Sequence, residues 1–133
     1  MADKQVPNEE RRKFKRIGAS FVVFYKVDSP LTVRLMVGER EIDAMALDLS
    51  EGGLAVLTNY NVPVSSIVSV KFILLDDYAI RAEMRSRSME IQGEVRYCFL
   101  MKEKAFRIGL RFIDISPEDR NFISGFIKKR ALD

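Results

Sequence analysis

The stretch Phe106-Arg107-Ile108-Gly109-Leu110-Arg111-Phe112 sets four apolar side chains at alternate positions, with Arg107, Gly109 and Arg111 between them. Successive side chains of a strand point to opposite faces, so this segment reads as a strand with one buried face and one wet face. The same period of two recurs in Val68-Ser69-Val70-Lys71-Phe72 and in Ile80-Arg81-Ala82-Glu83-Met84-Arg85. It is present, less cleanly, in residues 21–27, 31–37, 41–47 and 54–58. Turn signals separate these segments: Asp28-Ser29-Pro30, Gly38-Glu39, Glu51-Gly52-Gly53, residues 60–63 and Asp76-Asp77. Many short strands so spaced predict a mainly β fold, a six- to seven-stranded antiparallel β-barrel. A barrel is preferred to a sandwich because one-sided alternation lets a single closed sheet bury all its apolar faces.

Beyond the strands the period changes. Ser116-Pro117-Glu118-Asp119 combines a capping serine, a proline suited to the first helical position and acidic residues in the first turn. Phe122, Ile123, Phe126 and Ile127 then recur on one side of a helix, and Lys128, Lys129 and Arg130 follow at its negative end. A C-terminal α-helix docked on the barrel is expected. With no internal repeat and no linker, the chain reads as a flexible N-terminal segment, residues 1–10, followed by a single domain, 11–133.

Composition narrows the function. The 133 residues are 47% hydrophobic and 31% charged, which fits neither a disordered chain nor a membrane span. Residues 1–10 are polar and lack the apolar core of a secretory signal, so the expected compartment is the cytoplasm. Histidine is absent, which removes the commonest general base and metal ligand. Cys98 is the one cysteine, so neither a disulfide within the chain nor a cysteine-rich zinc site can form. No phosphate loop and no Gly-x-Gly-x-x-Gly occurs. These absences argue against an enzyme, a metal site and a bound cofactor. The net charge of +3 is a weak argument for nucleic acid, but the block at Arg11, Arg12, Lys13, Lys15 and Arg16 can hold an anion locally.

Two motifs rise above this background. One is Arg12-Lys13-Phe14-Lys15-Arg16, an Arg-x-x-x-Arg preceded by Arg11 and lying just before the first strand. The other is Asp48-Leu49-Ser50-Glu51-Gly52-Gly53, an Asp-x-Ser-x-x-Gly turn between two strands. Taken singly each has an ordinary reading, a solvated basic cluster and a capped turn. Together, in this order and within a barrel pattern, they resemble the PilZ domain, a family of bacterial cyclic di-GMP receptors. The resemblance covers nearly the whole chain, from Glu10 through Gly93-Glu94-Val95 and the Arg107–Phe112 strand to the closing helix.

The resemblance implies that Arg12, Arg16, Asp48, Ser50 and Gly53 contact cyclic di-GMP, with Arg11 a further candidate. An arginine at that place accompanies binding of a stacked, intercalated ligand dimer in this family, so two ligands per protomer are expected. The residue types suit the ligand on physical grounds. Arginine pairs bidentately with phosphate oxygens, matches the O6 and N7 acceptors of guanine, and stacks on a purine face. Asp48 can accept from guanine N1–H and N2–H or brace an arginine, Ser50 can donate or accept, and Gly53 lets base or ribose approach the backbone. Ligand bridging the N-terminal arm and the turn would order the arm and alter the face offered to a downstream protein partner in motility, biofilm or virulence control.

Three rival readings carry less weight. An adaptor with the same fold could ignore the nucleotide, but such family members have eroded motifs and both are intact here. A barrel binding RNA or single-stranded DNA needs aromatic platforms among basic strand residues. Tyr97 and Phe99 near Arg96 are the candidates, and alternation can place them in the core equally well. An enzyme comes last.

Overall fold

The computed structural model describes residues 16–76 and 79–131. Its strands are β1 (Arg16–Gly18), β2 (Val22–Ser29), β3 (Ile42–Ser50), β4 (Gly53–Thr58), β5 (Ile67–Leu75), β6 (Ser86–Lys102) and β7 (Ala105–Asp114). All pair antiparallel in the order β1-β3-β2-β5-β6-β7-β4, and a β3–β4 pairing closes the sheet. The result is a closed six-stranded barrel with β1 as an extra strand, as the alternation predicts. β2 covers only Ile42 to Met45 of β3, which leaves Asp48 to Ser50 free to pair with β1.

The inner faces supply the core. Val23, Tyr25 and Val27 of β2 face inward, as do Val68, Val70, Phe72 and Leu74 of β5 and Ile108, Leu110 and Phe112 of β7, all buried. Fully burying a side chain of this size contributes roughly 1.5–3 kcal/mol, so three such rows supply much of the fold's stability. Tyr25 is the polar exception, and its hydroxyl pairs with Thr58 Oγ1 at 2.8 Å inside the barrel. Burial pushes the Tyr25 phenol up to about 12. The stabilisation from keeping this proton is complete below the unfolded value near 10 and is lost as pH rises from about 10 to 12. Tyr25→Phe is therefore expected to flatten the loss of stability over that interval, measured as unfolding free energy in denaturant at successive pH values. An identical slope in both proteins would contradict it.

Helices close the two ends of the barrel. Helix α1 (Leu31–Met36) follows β2, and α2 (Pro117–Ala131) follows β7. The second is the expected C-terminal helix. Ser116 Oγ accepts from Asp119 N at 3.1 Å as its cap, and Ile123, Phe126 and Ile127 are buried. Ion pairs tie it down: Asp119 meets Arg87 at the start of β6 at 2.7 Å, and the buried Asp76 beyond β5 holds Lys129 at 2.7 Å and Arg130 at 3.8 Å. Among the described residues no helix is long and apolar enough to cross a membrane.

Two segments read as strands are not strands. Residues 31–37 hold helix α1, which buries Val33 and Val37 at helical spacing and leaves Leu31, Leu35 and Met36 exposed. Pro30 stands at the N-cap position, and Gly38 follows with φ 89°, a left-handed conformation that ends the helix at little steric cost. Residues 80–85 contain a short 3-10 turn, Ala82–Met84, and Ile80 there is 96% exposed. Ile80 and Ala82 are both exposed, so alternation there has nothing to bury against.

Candidate ligand-binding face

Two irregularities in the ladder shape one patch of the outer surface. A register shift between Ala46 and Asp48 inserts an extra residue in β3 relative to β4. It turns Asp48 outward and drops Leu49 into the core, where strict alternation would do the reverse. A second shift, between Val95 and Tyr97 of β6, does the same for Tyr97. The registers then align Gly18, Asp48, Ala55, Gly109 and Tyr97 as one row across five strands. On one side lies the row Met45, Leu57, Arg107 and Phe99, and on the other lie Gly53, Arg111 and Glu94. Small residues thus floor the middle of the patch, with Arg107 among apolar side chains on one margin and charged groups on the other.

Arg16, Asp48, Arg107 and Tyr97 converge over this floor. Arg107 Nη2 donates to Asp48 Oδ2 at 2.8 Å, and Arg16 Nη1 stands 3.6 Å from Asp48 Oδ1. Arg107 Nε donates to the Tyr97 hydroxyl at 3.1 Å. The Tyr97 ring lies over Gly109, where a Cβ would collide with it, and stacks on Phe99 with ring centres 5.6 Å apart. Burial alone would lower the Arg107 pKa, but Tyr97 and then Asp48 outweigh it and hold the guanidinium above its ordinary value. Arg111 and Arg96 share Glu94, at 2.8 and 3.6 Å, and the Arg111 hydrogen bond holds that carboxyl below the usual range.

The turn motif divides its labour. Ser50 Oγ accepts from the backbone N–H groups of Gly52 and Gly53, both at 3.1 Å, and is buried. It fixes the β3–β4 turn. Gly53 packs on the β7 backbone, where a Cβ would run into the Leu110 carbonyl oxygen. Of the three motif positions, Asp48 alone presents its side chain to the patch. Arg16 meets it from β1, whereas Arg11 and Arg12 lie outside the described residues, as do Lys13 and Lys15. Arg87 is engaged with Asp119 and Arg81 with Glu83.

Sequence reasoning missed Arg107 and Tyr97 as members of this patch. Arg107 was legible as outward-facing, but only the barrel's closure brings β7 within reach of the end of β3. Tyr97 was hidden by the bulge at Arg96. Among the described residues no group of three or more Cys, Asp and Glu side chains could hold a metal ion.

The family model of the PilZ domain matches residues 10–129. An uncharacterized protein of Aquifex aeolicus (strain VF5) is 26% identical over 107 residues, which are 80% of this chain and 46% of that protein. Among solved structures, the inhibitor of motility MotI/DgrA of Bacillus subtilis superposes with a TM-score of 0.70 at 18% identity, over 92% of this chain and 53% of its own. YcgR of Escherichia coli in complex with c-di-GMP gives 0.63 at 15% identity, over 92% and 46%. Identities this low establish a shared fold. The chain spans about half the length of these relatives.

Proposed function

The chain belongs to the PilZ domain family, and on that premise we propose that it is a receptor for cyclic di-GMP that acts without covalent chemistry. The observation that carries this reading is the convergence of Arg16 and Arg107 on Asp48 at the outer face. Cations bracketing one carboxylate offer donors to phosphate oxygens and to O6 and N7 of guanine, beside an acceptor for N1–H and N2–H. Similar structures of this fold hold c-di-GMP, including YcgR and PlzA of Borreliella burgdorferi.

In this reading Arg16 and Asp48 contact the ligand from the barrel, Arg12 and Arg11 contact it from the segment before β1, and Ser50 and Gly53 hold the turn in place. Ligand joining these parts changes the surface beside the patch, and a downstream protein partner reads the change. A stacked ligand dimer is the expected form.

Isothermal titration with cyclic di-GMP tests this, with GTP and cyclic di-AMP as controls. Saturable, guanine-selective binding with a stoichiometry near two is expected. Arg16→Ala should weaken it by about 5- to 150-fold, the equivalent of one arginine contact at roughly 1–3 kcal/mol. Absence of heat at high ligand concentration with a folded protein would make the chain an adaptor that ignores the nucleotide.

A further inference from the structure

We propose that Arg107 is a specificity residue of this site, reading the O6/N7 edge of a guanine while Asp48 beside it reads N1–H and N2–H. The inference rests on the cyclic di-GMP reading and assigns one base contact within it.

The geometry leaves the needed atoms available. Nε and Nη2 form one side of the guanidinium fork, and both donate along it, to Tyr97 Oη at 3.1 Å and to Asp48 Oδ2 at 2.8 Å. These bonds hold the group in a defined plane. They leave its end, Nη1 and the second hydrogen of Nη2, with no hydrogen bond to a described residue, and the side chain keeps 25% of its exposure. The end of a guanidinium carries parallel N–H groups that match two adjacent acceptors. O6 and N7 of guanine are such a pair.

Asp48 selects between the possible acceptors. A phosphate placed at the end of Arg107 would also face this carboxylate, acceptor against acceptor, with like charges close together. Guanine carries acceptors on one edge and donors on the next, so it meets an arginine and an adjacent carboxylate without a clash. Adenine puts a donor, N6–H, where guanine has O6, and would turn it toward the Arg107 donors. The Arg107–Asp48 pair thus matches guanine better than adenine or phosphate.

Tyr97 supports the arrangement from below. Its ring covers Gly109, and its hydroxyl takes the Nε hydrogen, so Arg107 cannot fold down onto the barrel. Arginine is required for the role because lysine is a point charge without the fork.

The test titrates the full chain with cyclic di-GMP and with its 7-deazaguanine analogue, which lacks N7. The unaltered protein should bind the analogue about tenfold more weakly. Arg107→Ala and Arg107→Lys should both weaken cyclic di-GMP binding about tenfold and should narrow the gap between the two ligands. If Arg107 merely positions Asp48, affinity falls but the N7 penalty stays undiminished in both variants, which overturns the proposal. Equal binding of the two ligands by the unaltered protein also overturns it. Binding lost in Arg16→Ala yet unchanged in Arg107→Ala removes this inference and leaves the receptor reading standing. No binding of cyclic di-GMP by the unaltered protein removes both.

Discussion

Asp48→Ala is expected to weaken cyclic di-GMP binding by more than about a hundredfold, the largest loss of any single change in the proposed site. The reason is that Asp48 acts on three groups. It supplies the acceptor for the donor edge of guanine, a charge-assisted bond worth roughly 1.5–3 kcal/mol. It also holds Arg107 at 2.8 Å and lies 3.6 Å from Arg16, so its removal frees both cations to seek other partners. The fold should survive, because the core residues beneath, Leu49 and Leu54, are untouched and Arg107 retains Tyr97 and water. Asp48→Asn keeps the shape and one acceptor oxygen but turns an NH2 donor toward an arginine or toward the ligand, so it should recover little. Titration calorimetry beside a thermal melt separates the effects. Affinity within about threefold of the unaltered protein in a well-folded Asp48→Ala would remove Asp48 from the site.

That so much turns on one carboxylate bears on what could be read from the sequence. The barrel and its closing helix were legible because burial on one face imposes a period of two on strands such as β5 and β7, and because Ser116 and Pro117 mark a helix start chemically. Helix α1 was misread because Leu31, Val33, Leu35 and Val37 alternate. Val33 and Val37 also satisfy helical spacing, and Pro30 with Gly38 marks both ends of a short helix, a signal that periodicity alone overlooks. The site was legible as a motif but not as a surface. Asp48 and Tyr97 face outward only because an extra residue precedes each in its strand. A bulge depends on how two strands settle against one another, so no local rule places it. Arg107 belongs to the site through barrel closure, a contact spanning 59 residues of chain.

The second large effect falls on the fold itself. Gly53→Ala is expected to destabilise the protein by at least about 3 kcal/mol, at the upper end of overpacking costs and near the range where single substitutions are exceptional. The added Cβ would run into the Leu110 carbonyl oxygen, with Leu110 C at 3.1 Å and Arg111 Cα at 3.4 Å behind it. All three are backbone atoms of β7, so relief requires β4 and β7 to separate where Gly53 pairs with Arg111 and Leu54 with Leu110. These pairings make the β4–β7 seam of the closed barrel, and opening them exposes Leu54 and Leu110. Gly109→Ala makes a useful contrast, since the atoms nearest its Cβ would belong to the Tyr97 ring, which can swing aside. Its cost should be smaller and should appear as loss of the Tyr97–Arg107 hydrogen bond, hence as weaker ligand binding by a folded protein. Denaturant unfolding of both variants, paired with titration, distinguishes them. A Gly53→Ala protein as stable as the unaltered one would mean that this glycine serves the ligand rather than the seam, since backbone against backbone leaves no cheaper way to make room.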